Sequence, residues 1–345
     1  MNQPLYKPLQ SADDVMTVER LRQHLFGGPQ VPFWNYDPNQ ITVGVEIEYF
    51  IAHTYDDGSF KLATKNEYLE VMEHLKNDFE YKDRNLLNQP GRVSKDTERG
   101  FIAIKPDFAW HILEISLPPR KDLNALKNLL DRTIFEVDAC LAKANLTRLN
   151  LSCLPDVPQD AELVDLDRLR GHIDTLKNQD SVSIYSVPIF PALIVATHVH
   201  LNVLNEQTYR LIPELYATET VARERFSRVQ NYRGQKSNNH REKFYQISLG
   251  PDYRLCDIPS PIPASIADYC ALFNSSAKVF PNDKFFGARD LTAIRPTRYG
   301  TLEFRSSCSF LDSDKIMDIV RFRIKTFVEA SEKIKSFTGK THAAS

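Results

Sequence analysis

Four short segments place acidic, basic and imidazole side chains at every second position inside runs that are otherwise apolar. Thr42-Val-Gly-Val-Glu-Ile-Glu-Tyr-Phe50 carries Glu46 and Glu48, and Trp110-His-Ile-Leu-Glu-Ile-Ser116 carries Glu114 and Ser116. Ala196-Thr-His-Val-His-Leu-Asn202 carries His198, His200 and Asn202, and Gly300-Thr-Leu-Glu-Phe-Arg305 carries Glu303 and Arg305. Residues two apart on a strand share a face, so each segment reads as a strand with one polar and one aliphatic side. Taken singly, each polar side is most simply a solvated surface, and an HxH pair is as readily structural as metal-binding. Taken together they point to chemistry, because several carboxylates gathered with imidazoles repel one another unless cations neutralise them. An oxygen-rich set of this kind suits Mg²⁺ or Mn²⁺ held partly through phosphate oxygens. Arg295, Arg298 and Arg305 beside Glu303 offer planar guanidinium groups that grip phosphate bidentately. No GxxxxGK[ST] loop is present, so a P-loop is not the source of any nucleotide chemistry.

The elements that must position these residues follow from periodicity. Residues 11–26 read as a short amphipathic helix and Gly27 to Pro38 as a loop. Ile41 to Ile51 is a strand leading into an Asp56-Asp57-Gly58 turn and a hairpin partner. Thr64 opens a helix that ends near Asn77. Phe101–Lys105 and Ile112–Leu117 are strands, and Leu123–Leu146 is the clearest helix, with apolar residues at helical spacing. Thr147–Cys153 and Ala192–Leu204 read as strands and Glu206–Val229 as an Arg-rich helix. Ser265–Ala277 is a helix, Leu291–Ser306 holds two short strands, and Asp312–Phe337 is a long terminal helix. Strands adjacent in sequence without crossover helices favour an α+β fold with a mainly antiparallel sheet over a doubly wound parallel one. Residues 1–40 form an N-terminal helix and loop extension, and residues 41–340 a single domain.

Composition narrows the function classes. The chain has 345 residues, 42% hydrophobic and 26% charged, enough apolar material for a large core. A net charge of −2 argues against a nucleic-acid or anionic-membrane binder. The most apolar stretch, Pro188–Leu204, is short for a membrane span and contains two histidines. The first residues have no apolar signal core, and the five scattered cysteines form no CxxC pair, so a reducing, cytoplasmic location is expected. Structural burial is the expected state of those cysteines.

Four blocks in order resemble the glutamate–cysteine ligase family and its carboxylate–amine ligase relatives. Val43–Phe50 resembles the family's opening strand, Leu113–Pro119 its second acidic strand and Thr197–Val203 its histidine strand. Ile294-Arg-Pro-Thr-Arg-Tyr-Gly-Thr-Leu-Glu-Phe-Arg-Ser306 resembles its closing block, and the match runs over about residues 40–310. The resemblance implies a glutamine-synthetase-like fold, whose curved, mainly antiparallel sheet presents acidic and histidine side chains to ATP and two or three divalent cations. It implies amide-bond formation through an acyl phosphate, with a small carboxylate and a small amine as partners and Mg²⁺ or Mn²⁺ as cofactor. By position it makes Glu46, Glu48, Glu114, His198 and Glu303 metal ligands, with Arg295 and Arg305 stabilising phosphate beside Glu303. His200, Asn202, Arg298, Arg233 and Arg241 are the candidates for binding ATP. The segment Arg223–Phe244 departs from the family pattern, which leaves both substrates open. Asp107, Trp110 and His111 are further candidates for a substrate pocket, with simple packing the better expectation for Trp110. A phosphotransferase on the same architecture, a zinc hydrolase and a non-catalytic metabolite binder stay open as alternatives, as does a homo-oligomeric state.

Overall fold

The computed structural model describes residues 17–26, 41–83, 90–164, 183–187, 189–203, 206–247, 261–276, 293–297 and 300–341. The central element is β1 (Val43–Thr54), twelve residues whose alternate side chains from Val43 to Ile51 are aliphatic or aromatic and buried. After a turn through Gly58 (φ 80°), β2 (Phe60–Leu62) folds back on it with Thr54 opposite Phe60, which is the expected hairpin. Next come β3 (Lys82–Asp83), β4 (Val93–Thr97), β5 (Gly100–Pro106), β6 (Ile112–Arg120), β7 (Thr147–Arg148) and β8 (Ala196–Leu201). β9 (Gln230–Tyr232), β10 (Gln235–Ser237), β11 (Ile294–Pro296) and β12 (Leu302–Cys308) complete the strands among the described residues.

One sheet holds the order β11-β12-β8-β1-β6-β5-β4-β3, while β2 and β7 pair with the far half of β1. All of these pairings are antiparallel, so the chain is α+β with a mainly antiparallel sheet, as expected. β9 and β10 form a separate hairpin.

Helices cover the sheet's apolar side. α1 (Val18–Phe26) buries Leu21 and Leu25. α2 (Lys65–Phe79) starts in a capping box: Thr64 Oγ1 accepts from the Glu67 N–H, and the Glu67 carboxylate accepts from the Thr64 N–H at 2.7 Å. α3 (Leu123–Lys143) is capped by Asp122 and buries Leu126, Leu130, Val137 and Leu141, one stripe at helical spacing, against β6. α4 (Ile212–Ala217), α5 (Glu219–Arg225), α6 (His240–Ile247) and α7 (Ile266–Ser276) precede α8 (Ser313–Thr341), which packs on α3 and β8 through residues including Ile316, Ile319 and Val320. No helix among the described residues is long and apolar enough to cross a membrane. The four described cysteines, Cys140, Cys153, Cys270 and Cys308, are buried, as expected.

Three segments differ from expectation. Thr147–Cys153 pairs only through its first two residues, because the chain then leaves β1 to meet Ile194 in a single bridge. Ala192–Leu204 opens as a 3₁₀ turn, Phe190–Leu193, with Pro191 near its start, and becomes a strand only at Ala196. The Glu206–Val229 helix is broken into a 3₁₀ segment, α4 and α5, with Pro213 at the start of α4 and Thr218 as the junction. The proposed loop at Gly27–Pro38 lies outside the described residues.

Candidate active site

Register assembles the polar face. Across β1 and β6, Glu48 stands opposite Glu114 and Glu46 opposite Ser116. Across β1 and β8, Glu46 stands opposite His198 and Gly44 opposite His200. His200 is in turn opposite Glu303 on β12, Glu303 opposite Arg295 on β11, and Glu114 opposite Lys105 on β5. Six strands therefore bring Arg295, Glu303, Arg305, His200, His198, Glu46, Glu48, Glu114 and Lys105 to one face of one sheet. Gly44 leaves the place between Glu46 and His200 without a side chain; its position lies 3.6 Å from the His200 Cβ once a Cβ is added there.

Glu46, His200 and Glu303 each offer a donor atom within 4.8 Å of the others, close enough to share one ion. Glu303 is fully buried, and Arg295 grips only one of its oxygens: Nε donates to Oε2 at 2.8 Å and Nη2 to the same atom. Its Oε1 has no hydrogen-bond partner, with Arg305 Nη1 at 3.6 Å and His198 Nδ1 at 3.5 Å. The Nε2 of His200 is likewise buried without a hydrogen bond, 3.5 Å from Glu46 Oε2, while its Nδ1 contacts Thr301 Oγ1 at 3.2 Å. Burial would raise the Glu303 carboxyl, but Arg295, His200, Arg305 and His198 outweigh it and hold it far below the usual carboxylate range. Burial would also raise Glu46, yet the charge of His200 and hydrogen bonds to both histidines hold it well below its ordinary value. The His200 imidazole is pushed down by burial and up by Glu46 and Glu303, with a net rise.

His198 lies between this group and a second one. Its Nε2 faces Arg241 Nη2 at 3.2 Å, and burial pushes the imidazole down to about 4, so it is neutral at pH 7. A neutral ring that accepts from Arg241 at Nε2 carries its proton on Nδ1, which then faces Glu303 and Glu46. The geometry thus favours His200 over His198 as the imidazole donor to a shared ion.

The second group is Glu48, Asp107 and Glu114, whose donor atoms also lie within 4.8 Å of one another. Glu114 accepts from Ser116 Oγ at 2.8 Å and from Lys105 Nζ at 2.5 Å, and Glu48 accepts from the Ala196 N–H at 2.9 Å. Burial first, then the Asp107 and Glu114 charges, push the Glu48 carboxyl well above its ordinary value against the pull of Arg241 and Arg305.

Neither protein-family models nor curated proteins give a match to the chain. Among solved structures it is similar to a chain in the crystal structure of the complex between the prokaryotic ubiquitin-like protein Pup and its ligase PafA. The likeness is distant. The TM-score is 0.33 at 11% identity, covering 84% of this chain and 64% of that one, so the chain spans less than two thirds of its neighbour's length. A functional reading therefore rests on the polar face itself.

Other sequence candidates distribute unevenly. Arg241, on α6, reaches the site and also donates to the carbonyls of Arg305 at 2.5 Å and Ser307 at 3.3 Å. Asn202 sits just past β8 with a buried, unpartnered Oδ1. Arg233 does not join the face: it lies at the β9–β10 turn, its Nε donating to Asp156 at 2.8 Å. Arg228 stacks on Phe310 at 4.4 Å and donates to the Asn150 carbonyl, and Arg225 lies over Phe226 and Phe322. Arg298 lies outside the described residues. Trp110 is buried edge-on against Tyr68, the expected packing role, and His111 donates to or accepts from nothing but the core, its Nε2 meeting the Ala192 carbonyl at 2.8 Å. Asp107 does reach the site, and Lys105 is a site residue that strand reading alone did not single out; its signal was its parity with Ala103 and Asp107 opposite the acidic strand.

Proposed function

We propose that this chain is an ATP- and Mg²⁺-dependent carboxylate–amine ligase that forms an amide, of γ-glutamyl type, through an acyl phosphate. The observation that carries the reading is the pair of buried, unpartnered donor atoms, Glu303 Oε1 and His200 Nε2, turned toward Glu46 and bordered by Arg295 and Arg305. A buried carboxylate oxygen and an imidazole nitrogen left without partners are costly unless an ion completes them. Two carboxylates and an imidazole match the hard-to-borderline donors that Mg²⁺ or Mn²⁺ accepts. Such an ion, when bound, would neutralise charge on phosphate oxygens and so open the phosphorus to attack.

The chain's own residues define the remaining roles. Glu46, His200 and Glu303 bind; Arg295 orients Glu303 by fixing Oε2, which aims Oε1 into the group. Arg305 and Arg241 supply fixed positive charge where a phosphoryl group would carry its negative oxygens. A carboxylate is a poor acyl donor, and transfer of the γ-phosphoryl group to one of its oxygens supplies the leaving group that water-excluded amines can displace. In that sequence a carboxylate oxygen attacks phosphorus and ADP leaves, then the amine nitrogen attacks the acyl carbon and phosphate leaves with the carboxylate oxygen. The resemblance to glutamate–cysteine ligases supports this reading over simple phosphoryl transfer, in which no amine is consumed.

Positional labelling tests it. The protein, Mg²⁺ and ATP are incubated with pooled ¹⁸O-carboxylate amino acids and amines, and condensed products and phosphate are read by mass spectrometry. Amide with ¹⁸O in the released phosphate is the expected result. ATP turnover giving a stable phosphorylated acceptor and no amide would replace the ligase with a phosphotransferase.

A further inference from the structure

The polar face holds two carboxylate groups of similar size, and they differ in what their atoms already hold. In the Glu46–His200–Glu303 group, two buried donor atoms have no hydrogen-bond partner. In the Glu48–Asp107–Glu114 group, no side-chain atom is among the buried unpartnered ones. Both oxygens of Glu114 are engaged, one by Ser116 and the other by the Lys105 ammonium, and Glu48 is held by a backbone N–H.

We infer that the Lys105 ammonium is a resident cation of the Glu48–Asp107–Glu114 group, so that this face takes one divalent ion where its two carboxylate groups would otherwise take two. This deepens the reading of the face as a cation and nucleotide site. Register places Lys105 directly opposite Glu114 on the neighbouring antiparallel strand, where two side chains on one face meet without strain. Asp107 follows two positions later on the same segment, and its carboxylate joins those of Glu48 and Glu114 in the one group. The Lys105 side chain is 16% exposed and that of Glu114 5%, so withdrawing the ammonium would leave a buried carboxylate unpaired. A divalent ion entering the group would meet the ammonium at Glu114 itself, where like charges repel. An ammonium also differs from a metal ion in function: it supplies one unit of charge and three donors, and it neither exchanges with solvent ions nor activates a bound water. The second carboxylate group is therefore permanently neutralised in part, and its exchangeable capacity is spent before any nucleotide arrives.

Mn²⁺ titration of the full chain, followed by electron paramagnetic resonance of the free ion, tests this with the metal alone. Wild-type protein is expected to bind one Mn²⁺ tightly, and Lys105→Met, which keeps the length and removes the charge, to bind one more. Adding Glu114→Gln to that variant is expected to return the count to one and, by neutralising the carboxylate that Lys105→Met leaves unpaired, to preserve the fold. Two tight ions in the wild type, or an equal count in wild type and a folded Lys105→Met, overturns the inference. Where Lys105→Met does not fold, the wild-type count decides alone. Repeating the titration with a non-hydrolysable ATP analogue separates the two readings. An analogue that never tightens Mn²⁺ binding sinks the ligase proposal and leaves the Lys105 result standing.

Discussion

β12 lies between two arginine–glutamate pairs, one against each of its faces, and the two are built to opposite ends. Behind the strand, Arg323 and Glu219 are both fully buried, and both oxygens of Glu219 are engaged, while Arg323 Nε has no hydrogen-bond partner. Arg323 Nη1 donates to Glu219 Oε1 and Nη2 to Oε2 at 3.4 Å, Ser306 Oγ donates to Oε2 at 2.5 Å, and the guanidinium lies 4.8 Å over the Phe304 ring. In front, Arg295 holds Glu303 by one oxygen and leaves the other without a hydrogen bond. Both pairs are desolvated, so the difference is not burial. A carboxylate with both oxygens satisfied ties α5 and α8 to the sheet; a carboxylate with one oxygen unsatisfied is prepared to bind something. Saturation of the carboxylate, more than burial or charge, separates the structural pair from the functional one.

The strongest way to break that contrast is at the back. Arg323→Met leaves Glu219 buried and uncompensated, and stability is expected to fall by on the order of 3–5 kcal/mol in urea unfolding. Mn²⁺ affinity of the protein that stays folded should be unchanged. A loss of Mn²⁺ affinity that matched the loss of stability would dissolve the distinction between the two faces.

The complementary change is Glu303→Gln, which keeps shape and hydrogen-bonding capacity but removes the charge. Nucleotide-dependent Mn²⁺ binding should weaken strongly and amide formation should drop by roughly 10²–10³. Arg305→Lys, which keeps charge but loses the bidentate fork, should lose less. Unaltered Mn²⁺ binding in Glu303→Gln would remove Glu303 from the site. Neutralising Glu303 also leaves the Arg295 and Arg305 guanidinium groups without their carboxylate neighbour.

A third test sharpens the contrast at a saturated group remote from β12. Burial pushes His111 down to about 4 from 6.5, so the folded chain resists protonating it while the unfolded chain does not. Its contribution is present above pH 6.5 and lost as pH falls from 6.5 toward 4, about 3 kcal/mol in all. His111→Asn should flatten the decline of unfolding free energy over that interval. Identical pH slopes in the two proteins would show that the decline originates elsewhere. The smallest expected effect is at the α2 cap, where Thr64→Ala removes the acceptor for the Glu67 N–H and should cost about 1 kcal/mol. Thermal unfolding would detect it, and no change in midpoint would mean that Glu67 and His53, bonded at 2.7 Å, hold the turn without it.

Much of the sheet was legible because buried strands announce themselves. The polar residues of β1, β6, β8 and β12 stand out against mainly apolar alternate positions, so their shared face could be read without coordinates. β4 could not: Val93-Ser-Lys-Asp-Thr97 lies toward the sheet's edge, where polar residues are tolerated on both sides. The β9–β10 hairpin turns through Arg233 and Gly234 at φ 49° and 81°, and an arginine in a left-handed turn gives no sequence signal. α6 was hidden in an Arg-rich stretch, and with it the fact that Arg241, not Arg233, faces the site. Which histidine keeps a ring nitrogen open was equally invisible, since His198 and His200 share parity and only the contact of Arg241 with His198 distinguishes them.

The register that closes the site also dictates when it can exist. The residues of the polar face run from Glu46 to Arg305, and β12, which joins β8 at Glu303 and His200, is the last strand of the sheet in chain order. During synthesis, Glu46, Glu48, Asp107 and Glu114 emerge long before the arginines of the closing block, and Lys105 is the only one of the site's cationic side chains that accompanies them. Contacts separated by some 250 residues form slowly because loop closure must precede them. Until α6, β11 and β12 bring Arg241, Arg295 and Arg305, the acidic strands carry Lys105 alone as counter-charge, so the nascent chain has an anionic, incomplete face that cannot yet select its nucleotide. Chains released at Gly300 should bind no ATP analogue in the presence of Mn²⁺, whereas chains released at Thr341 should; binding by the shorter chain would uncouple the site from its last strand.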